Sequence, residues 1–166
     1  MIVQIIITPE QSNRKLERMA YQIYEAFCNE EELIIAGIAD NGFLVAKQIG
    51  KNLEEISSLK ISYCEIKLNK LNPLQEITTS LSTETYASKN IIIVDDVLNS
   101  GSTLIYAVKH FLNVPTKTIK TAVLVDRSHK KYPVKADFKG LSLSTSIQEH
   151  VSVVCTEDNT ITCFLS

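Results

Sequence analysis

The chain has 166 residues, a formal charge of −2 and no tryptophan, which fits one domain with a core that needs no disulfides. Its four cysteines, at positions 28, 64, 155 and 163, form no CxxC pair and its three histidines do not cluster, so a zinc site is not expected and the thiols read as reduced, in a cytoplasmic protein. The overall charge does not favour nucleic acid, so RNA contact would need a local basic patch. No secretory leader and no apolar run near the roughly 20 residues of a membrane span is visible, so no membrane partner is expected.

Residues 2–7 are an apolar run expected as a strand at a sheet edge. A helix start follows at Thr8-Pro9-Glu10-Gln11, with Thr8 as N-cap, Pro9 at the first helical position and Gln11 completing a capping box. Leu16, Met19, Ala20, Ile23, Tyr24 and Phe27 then make one apolar stripe, predicting a helix to about Cys28. Residues 33–38 read as a buried strand, Ala39-Asp40-Asn41-Gly42 as a loop, and Phe43 to about Leu53 as a helix. Asp40-Asn41 fits two roles equally, a helix cap and turn or part of a ligand loop. Residues 61–68 read as another strand. The polar segment 69–88, with Pro73, fits either a surface hairpin or a loop that closes over a site. Its nearby cations are Lys67, Lys70 and Lys89, and no arginine occurs between Arg18 and Arg127.

The most informative stretch is 91–112. Ile91, Ile92, Ile93 and Val94 form a run suited to a strand buried on both faces. Asp95 and Asp96 end it, the small polar loop Asn99-Ser100-Gly101-Ser102-Thr103 follows, and Leu104, Ala107, Val108, Phe111 and Leu112 recur at helical spacing. Such a loop presents free N–H groups, hydroxyls and the positive helix end to an anion, and Gly101 permits close backbone approach. Carboxylates accept hydrogen bonds from vicinal hydroxyls and hold Mg²⁺. Together these groups suit a sugar phosphate. A Walker-type loop is excluded because no Gly-Lys-Ser/Thr follows the strand. Residues 118–125 predict a further strand with Asp126 and Arg127 at its carboxyl end, and Arg127 is the side chain best placed to bring positive charge to the site. His129 fits either that rim or a surface turn. Residues 136–140 begin a short strand, and 151–155 with 160–164 suggest a hairpin around Glu157-Asp158-Asn159. The fold class is α/β: an open, mainly parallel twisted sheet flanked by helices, with a small C-terminal β hood.

The segment VDDVLNSGST, residues 94–103, resembles the diphosphosugar-binding signature of type I phosphoribosyltransferases. AVLVDRSHKKYPVKADFKG, residues 122–140, is similar to the corresponding segment of the PyrR-like branch, which unites pyrimidine-operon regulators and uracil phosphoribosyltransferases. The resemblance implies the type I phosphoribosyltransferase fold and transfer of ribose 5-phosphate from phosphoribosyl diphosphate to a nucleobase, uracil above others, as in pyrimidine salvage. It implies Mg²⁺ bound mainly through the diphosphosugar, catalytic roles for Asp95 and Asp96, and a 5-phosphate loop of Asn99, Ser100, Gly101, Ser102 and Thr103. Ala39, Asp40, Asn41 and Gly42 would border the pyrophosphate, and Asp126 and Arg127 the base. A homo-oligomer is expected on the same ground. Asn99 stands where purine-using relatives often have aspartate, and asparagine is no general base at neutral pH, which points to a pyrimidine, to another acceptor or to no reaction. The departure is at 39–42, where the family usually carries Lys or Arg. An alternative is therefore a weak or inactive nucleotide-sensing regulator of the same fold, with nucleoside monophosphate as ligand and RNA as a partner.

Overall fold

Strand β5 (Asn90–Leu98) occupies the middle of the main sheet, and the alternation of its side chains sets the layers on either side. Ile92 and Val94 belong to a core cluster with Leu16, Met19 and Ile23 of helix α1 (Pro9–Phe27) and Val45, Ile49 and Leu53 of helix α2 (Asn41–Ile56). Ile91 and Ile93 point the other way, onto Leu104, Ala107 and Phe111 of helix α4 (Ser102–Phe111) and Tyr86 of the one-turn helix α3 (Thr83–Tyr86). A strand covered on both faces needs a continuous apolar run, and each such buried side chain contributes about 1.5–3 kcal/mol.

The computed structural model describes residues 2–166. Besides β5 the main sheet contains β2 (Glu32–Ile38), β3 (Lys60–Lys67), β4 (Thr78–Thr79), β6 (Thr118–Asp126) and β7 (Phe138–Ser142), in the order β4-β3-β2-β5-β6-β7. All neighbours are parallel except β4, which pairs antiparallel with β3. The second sheet is antiparallel, ordered β1-β9-β8, from β1 (Gln4–Ile7), β8 (Val151–Cys155) and β9 (Ile161–Leu165). The hood is therefore not purely C-terminal, since the first strand forms its edge. Ser12 of α1 fastens it by donating its buried hydroxyl to the Ile161 carbonyl at 2.7 Å.

The capping box is present: Thr8 N–H donates to Gln11 Oε1 at 2.9 Å, and Gln11 N–H to Thr8 Oγ1 at 3.3 Å. Strand β5 runs four residues beyond Val94, through both acids to Leu98, because its ladder with β6 continues to Leu98↔Asp126. Helix α2 passes Leu53 and ends at Ile56, where Ser57 caps the Leu53 carbonyl with both its N–H and its hydroxyl. Segment 69–88 forms no full hairpin, only the two residues of β4 and the turn of α3. Among the described residues no helix is long and apolar enough to cross a membrane.

Candidate active site

Parallel pairing of β2 with β5, in register from Ile34↔Ile91 to Gly37↔Val94, brings their carboxyl ends side by side. The loops that follow must then meet, as they do at the ligand crevice of open α/β sheets. Gly42, in the first turn of α2, makes that meeting possible: a Cβ there would lie 2.9 Å from the Val94 carbonyl oxygen and 3.0 Å from Asp95 Oδ1. The peptide between Ala39 and Asp40 is cis, and Ala39 N–H donates to the Ile66 carbonyl at 2.8 Å.

Beyond β5 the loop turns at Gly101, whose φ of 87° is left-handed and whose Cβ position lies 2.5 Å from Val134 Cγ1. Both facts require glycine. The Ser100 carbonyl accepts from the N–H groups of Lys131 (2.7 Å) and Tyr132 (3.2 Å), so the β6–β7 connection braces the loop from behind. Ser102 N–H donates to Ser100 Oγ at 3.2 Å. The result is a cavity of about 210 Å³ whose wall includes Lys70, Asp95, Asp96, all five residues from Asn99 to Thr103, and His150. A larger cavity of about 680 Å³ between α1, α2 and the β8–β9 turn contains none of these groups; volume is a poorer guide to chemistry here than the convergence of polar side chains.

The two acids are not equivalent. Asp95 is 3% exposed, and its Oδ1 accepts from Asp96 N–H at 2.9 Å and from Lys70 Nζ at 3.3 Å. Asp96 is 14% exposed, with Oδ1 accepting from Val97 N–H at 2.8 Å and Oδ2 from Asn41 Nδ2 at 3.2 Å. Asn41 Nδ2 also donates to the Val153 carbonyl at 2.9 Å, so one amide ties α2, the acid and the hood together. Burial, then the charge of Asp96, pushes the Asp95 carboxyl up to about 8 against the opposing pull of Lys70. For Lys70, partial burial acts downward, but the charges of Asp95, Asp96 and Asp40 overcome it, and the ammonium is held above its ordinary value.

Lys70 thus brings to the site the positive charge that Ala39-Asp40-Asn41-Gly42 lacks. Asp40 stands at the N-cap of α2 without a side-chain capping bond. Arg127, expected to deliver charge, is 8% exposed and committed elsewhere. It donates to Thr145 Oγ1 (3.0 Å), Asn99 Oδ1 (2.9 Å) and the carbonyls of Glu149 (2.5 Å) and Ser146 (3.3 Å). Its work is to hold Asn99 and the 145–149 segment in place. Asp126 is buried, accepts from Ser128 N–H at 2.9 Å and faces Lys139 Nζ at 3.5 Å. His129 Nε2 lies 2.5 Å from the Thr145 carbonyl. His150 had no signal in the sequence, and Lys70 only its isolation as a cation in a polar segment. Among the described residues no group of three acids, cysteines or histidines could hold a metal by itself. Two carboxylates suit Mg²⁺ when most ligands come from a phosphorylated substrate and water.

An open parallel sheet with an anion loop and paired acids at the end of its central strand describes a phosphosugar-binding α/β protein. The phosphoribosyl transferase domain family model matches residues 6–158, and the chain belongs to the type I phosphoribosyltransferase family. It is 33% identical over 161 residues to the bifunctional protein PyrR of Clostridium kluyveri, covering 92% of this chain and 90% of that one. It is 32% identical over 145 residues to the bifunctional protein PyrR of Streptococcus mutans, covering 84% and 81%. A hypoxanthine-guanine phosphoribosyltransferase from Bacillus anthracis superposes with a TM-score of 0.74 at 20% identity over 98% of both chains. A hypoxanthine phosphoribosyltransferase from Trypanosoma cruzi gives 0.72 at 17% identity, covering 84% of this chain and 81% of that one, a likeness of fold.

Proposed function

We propose that the protein transfers ribose 5-phosphate from phosphoribosyl diphosphate to a nucleobase, with uracil as the preferred acceptor. The observation that carries this reading is one cavity wall holding both the 99–103 loop and the two carboxylates. Backbone N–H groups of Asn99 to Thr103, with the hydroxyls of Ser100, Ser102 and Thr103, hold the 5-phosphate. Asp96, the more accessible acid, takes the ribose hydroxyls and sets its negative charge under the developing oxocarbenium-like centre, with Asp95 packed beneath it to fix its position. Fixing both reactants in one orientation supplies much of the remaining acceleration. Mg²⁺ carried by the diphosphosugar, with Asp95 and Asp96 nearby, would offset charge on the departing diphosphate. Arg127 shapes the base side indirectly, through the bonds that hold Asn99 and the 145–149 segment, and Asp126 borders the same side, where it orders Ser128. Because Asn99 Oδ1 accepts from Arg127, its amide NH₂ remains a donor, which suits a pyrimidine carbonyl and not a proton-abstracting role. The resemblance to PyrR-like proteins supports the same base, cytoplasmic residence and a homo-oligomer.

A second reading is favoured by Asp40, a carboxylate where a pyrophosphate-binding cation would be useful. On that reading the protein senses a nucleoside monophosphate without turning over substrate, and RNA binding would fall steeply with salt. Purified protein with phosphoribosyl diphosphate, Mg²⁺ and a panel of bases separates the two. Pyrophosphate release with uracil supports the transferase; UMP binding without release with any base supports the sensor.

A further inference from the structure

We infer that Lys70 is an exchangeable counter-ion, resting on Asp95 and Asp96 when the site is free and passing to the diphosphate when ribose hydroxyls take its place. The inference rests on the proposed transferase reading and deepens it, by assigning the charge that distinguishes substrate from product.

The Lys70 ammonium lies 3.3 Å from Asp95 Oδ1 and 3.8 Å from Asp96 Oδ1, and so occupies the side of the acid pair that a vicinal diol needs. A carboxylate cannot serve the ammonium and two hydroxyls at full strength together, so ligand and lysine compete. The charge of Asp40 also favours the protonated form of this ammonium. Among the described residues no other lysine or arginine forms an ion pair with Asp95 or Asp96. Arg127 cannot substitute, because four of its bonds are spent inside the protein.

The lysine is also placed to move. Its side chain is 44% exposed, and the next residue, Leu71, is 97% exposed, so no apolar contact of Leu71 pins the chain at that point. The backbone there is a turn in which Asn69 Oδ1 accepts from the N–H of Leu71 at 2.9 Å and of Asn72 at 3.3 Å. A flexible four-carbon stem on a surface turn can carry its charge a few ångströms without disturbing the sheet.

The consequence is selectivity by displacement. Phosphoribosyl diphosphate offers the displaced ammonium a new anionic partner at C1 of the ribose. UMP offers a diol but no diphosphate, so it evicts Lys70 without compensation. Lys70 therefore favours the substrate over the product and helps the product leave once pyrophosphate has gone.

The test is calorimetric titration of wild type, Lys70→Met and Lys70→Arg with UMP and with phosphoribosyl diphosphate at one Mg²⁺ concentration and without base. Lys70→Met should bind UMP about 10-fold more tightly and phosphoribosyl diphosphate about 10-fold more weakly, the scale of one charge-assisted contact. Lys70→Arg should keep the wild-type order. Opposite shifts cannot come from misfolding. Shifts of the same sign, or no shift, with a wild type that binds both ligands overturn the exchange alone. A wild type that binds neither ligand contradicts the proposed function and the exchange with it.

Discussion

The chain builds a strand–loop–helix unit twice at the same rim, and the two copies solve different problems. After β5, the loop is self-sufficient: Gly101 supplies the turn, Ser100, Ser102 and Thr103 supply hydroxyls, α4 supplies its positive end, and Lys131 and Tyr132 brace it from behind. After β2, Ala39-Asp40-Asn41-Gly42 meets the acids instead of an open cradle, with Gly42 against Asp95 and Asn41 bonded to Asp96. On the proposed reading the first unit holds an anion with its own N–H groups and hydroxyls, while the second contributes order and takes its charge from Lys70, 25 residues from Asp95 along the chain. Anion binding needs no charged side chain when a helix end and free N–H groups converge, whereas the proposed diphosphate side, bordered by Asp95 and Asp96, needs the lysine paired with them.

The largest effect should come from breaking the self-sufficient unit. Gly101→Val forces a β-branched residue to a φ of 87° and drives its Cβ into Val134. We expect UMP binding to fall at least ~100-fold, with about 2 kcal/mol lost from stability, seen by calorimetry and chemical denaturation. Lys70→Met at the same titration should tighten UMP, which sets the two units apart by sign.

Arg127→Ala comes next. It leaves the carbonyls of Ser146 and Glu149 and the side-chain oxygen of Asn99 without a donor, costing about 2–4 kcal/mol. For a chain of this size that is a melting-point drop of about 2–4 °C per kcal/mol. Lysine should not restore it, because a point charge cannot span the same acceptors.

Asp95 adds a pH signature to the acid pair. Its carboxyl titrates near 8 in the folded protein against an ordinary value of 3.8, so between those values the folded state holds a proton that the unfolded state has released. Stability contributed by this group is complete below about pH 4 and falls as pH rises toward 8. Asp95→Asn removes the ionisation, so its melting point should exceed that of wild type by several °C at pH 8, with a smaller gap at pH 5. A gap that grows as pH falls would contradict the assignment. The smallest effect belongs to Asn41→Ala, at about 1 kcal/mol of stability. Asn41→Asp should cost more, by setting a further carboxylate directly against Asp96, and the excess should shrink with added salt.

Much of the fold was legible because its signals are local. The Thr8–Gln11 capping box, the helical stripe through Phe27, the all-apolar 91–94 run and the C-terminal hairpin each depend on a few neighbouring residues. What escaped depends on partners distant in sequence. Strand β5 extends past its acids because β6 is there to pair with it, and β1 joins the hood because β9 is waiting across its edge. The same division holds at the site. Gly101 and its hydroxyls announce themselves in ten residues, but the commitment of Arg127 to 145–149, the Asn41–Asp96 bond across 55 positions and the place of Lys70 arise only when loops meet. Charge in a sequence says that a cation exists, not whether it is spent.

The division of labour between the two units is tested most directly by titrating inorganic pyrophosphate into UMP-saturated protein, without Mg²⁺ so that no turnover intervenes. The account predicts a saturable heat with UMP still bound, since the monophosphate occupies the 99–103 loop and pyrophosphate the Lys70 side of the rim. Displacement of UMP by pyrophosphate, with one ligand excluding the other, would show a single anion site and contradict it.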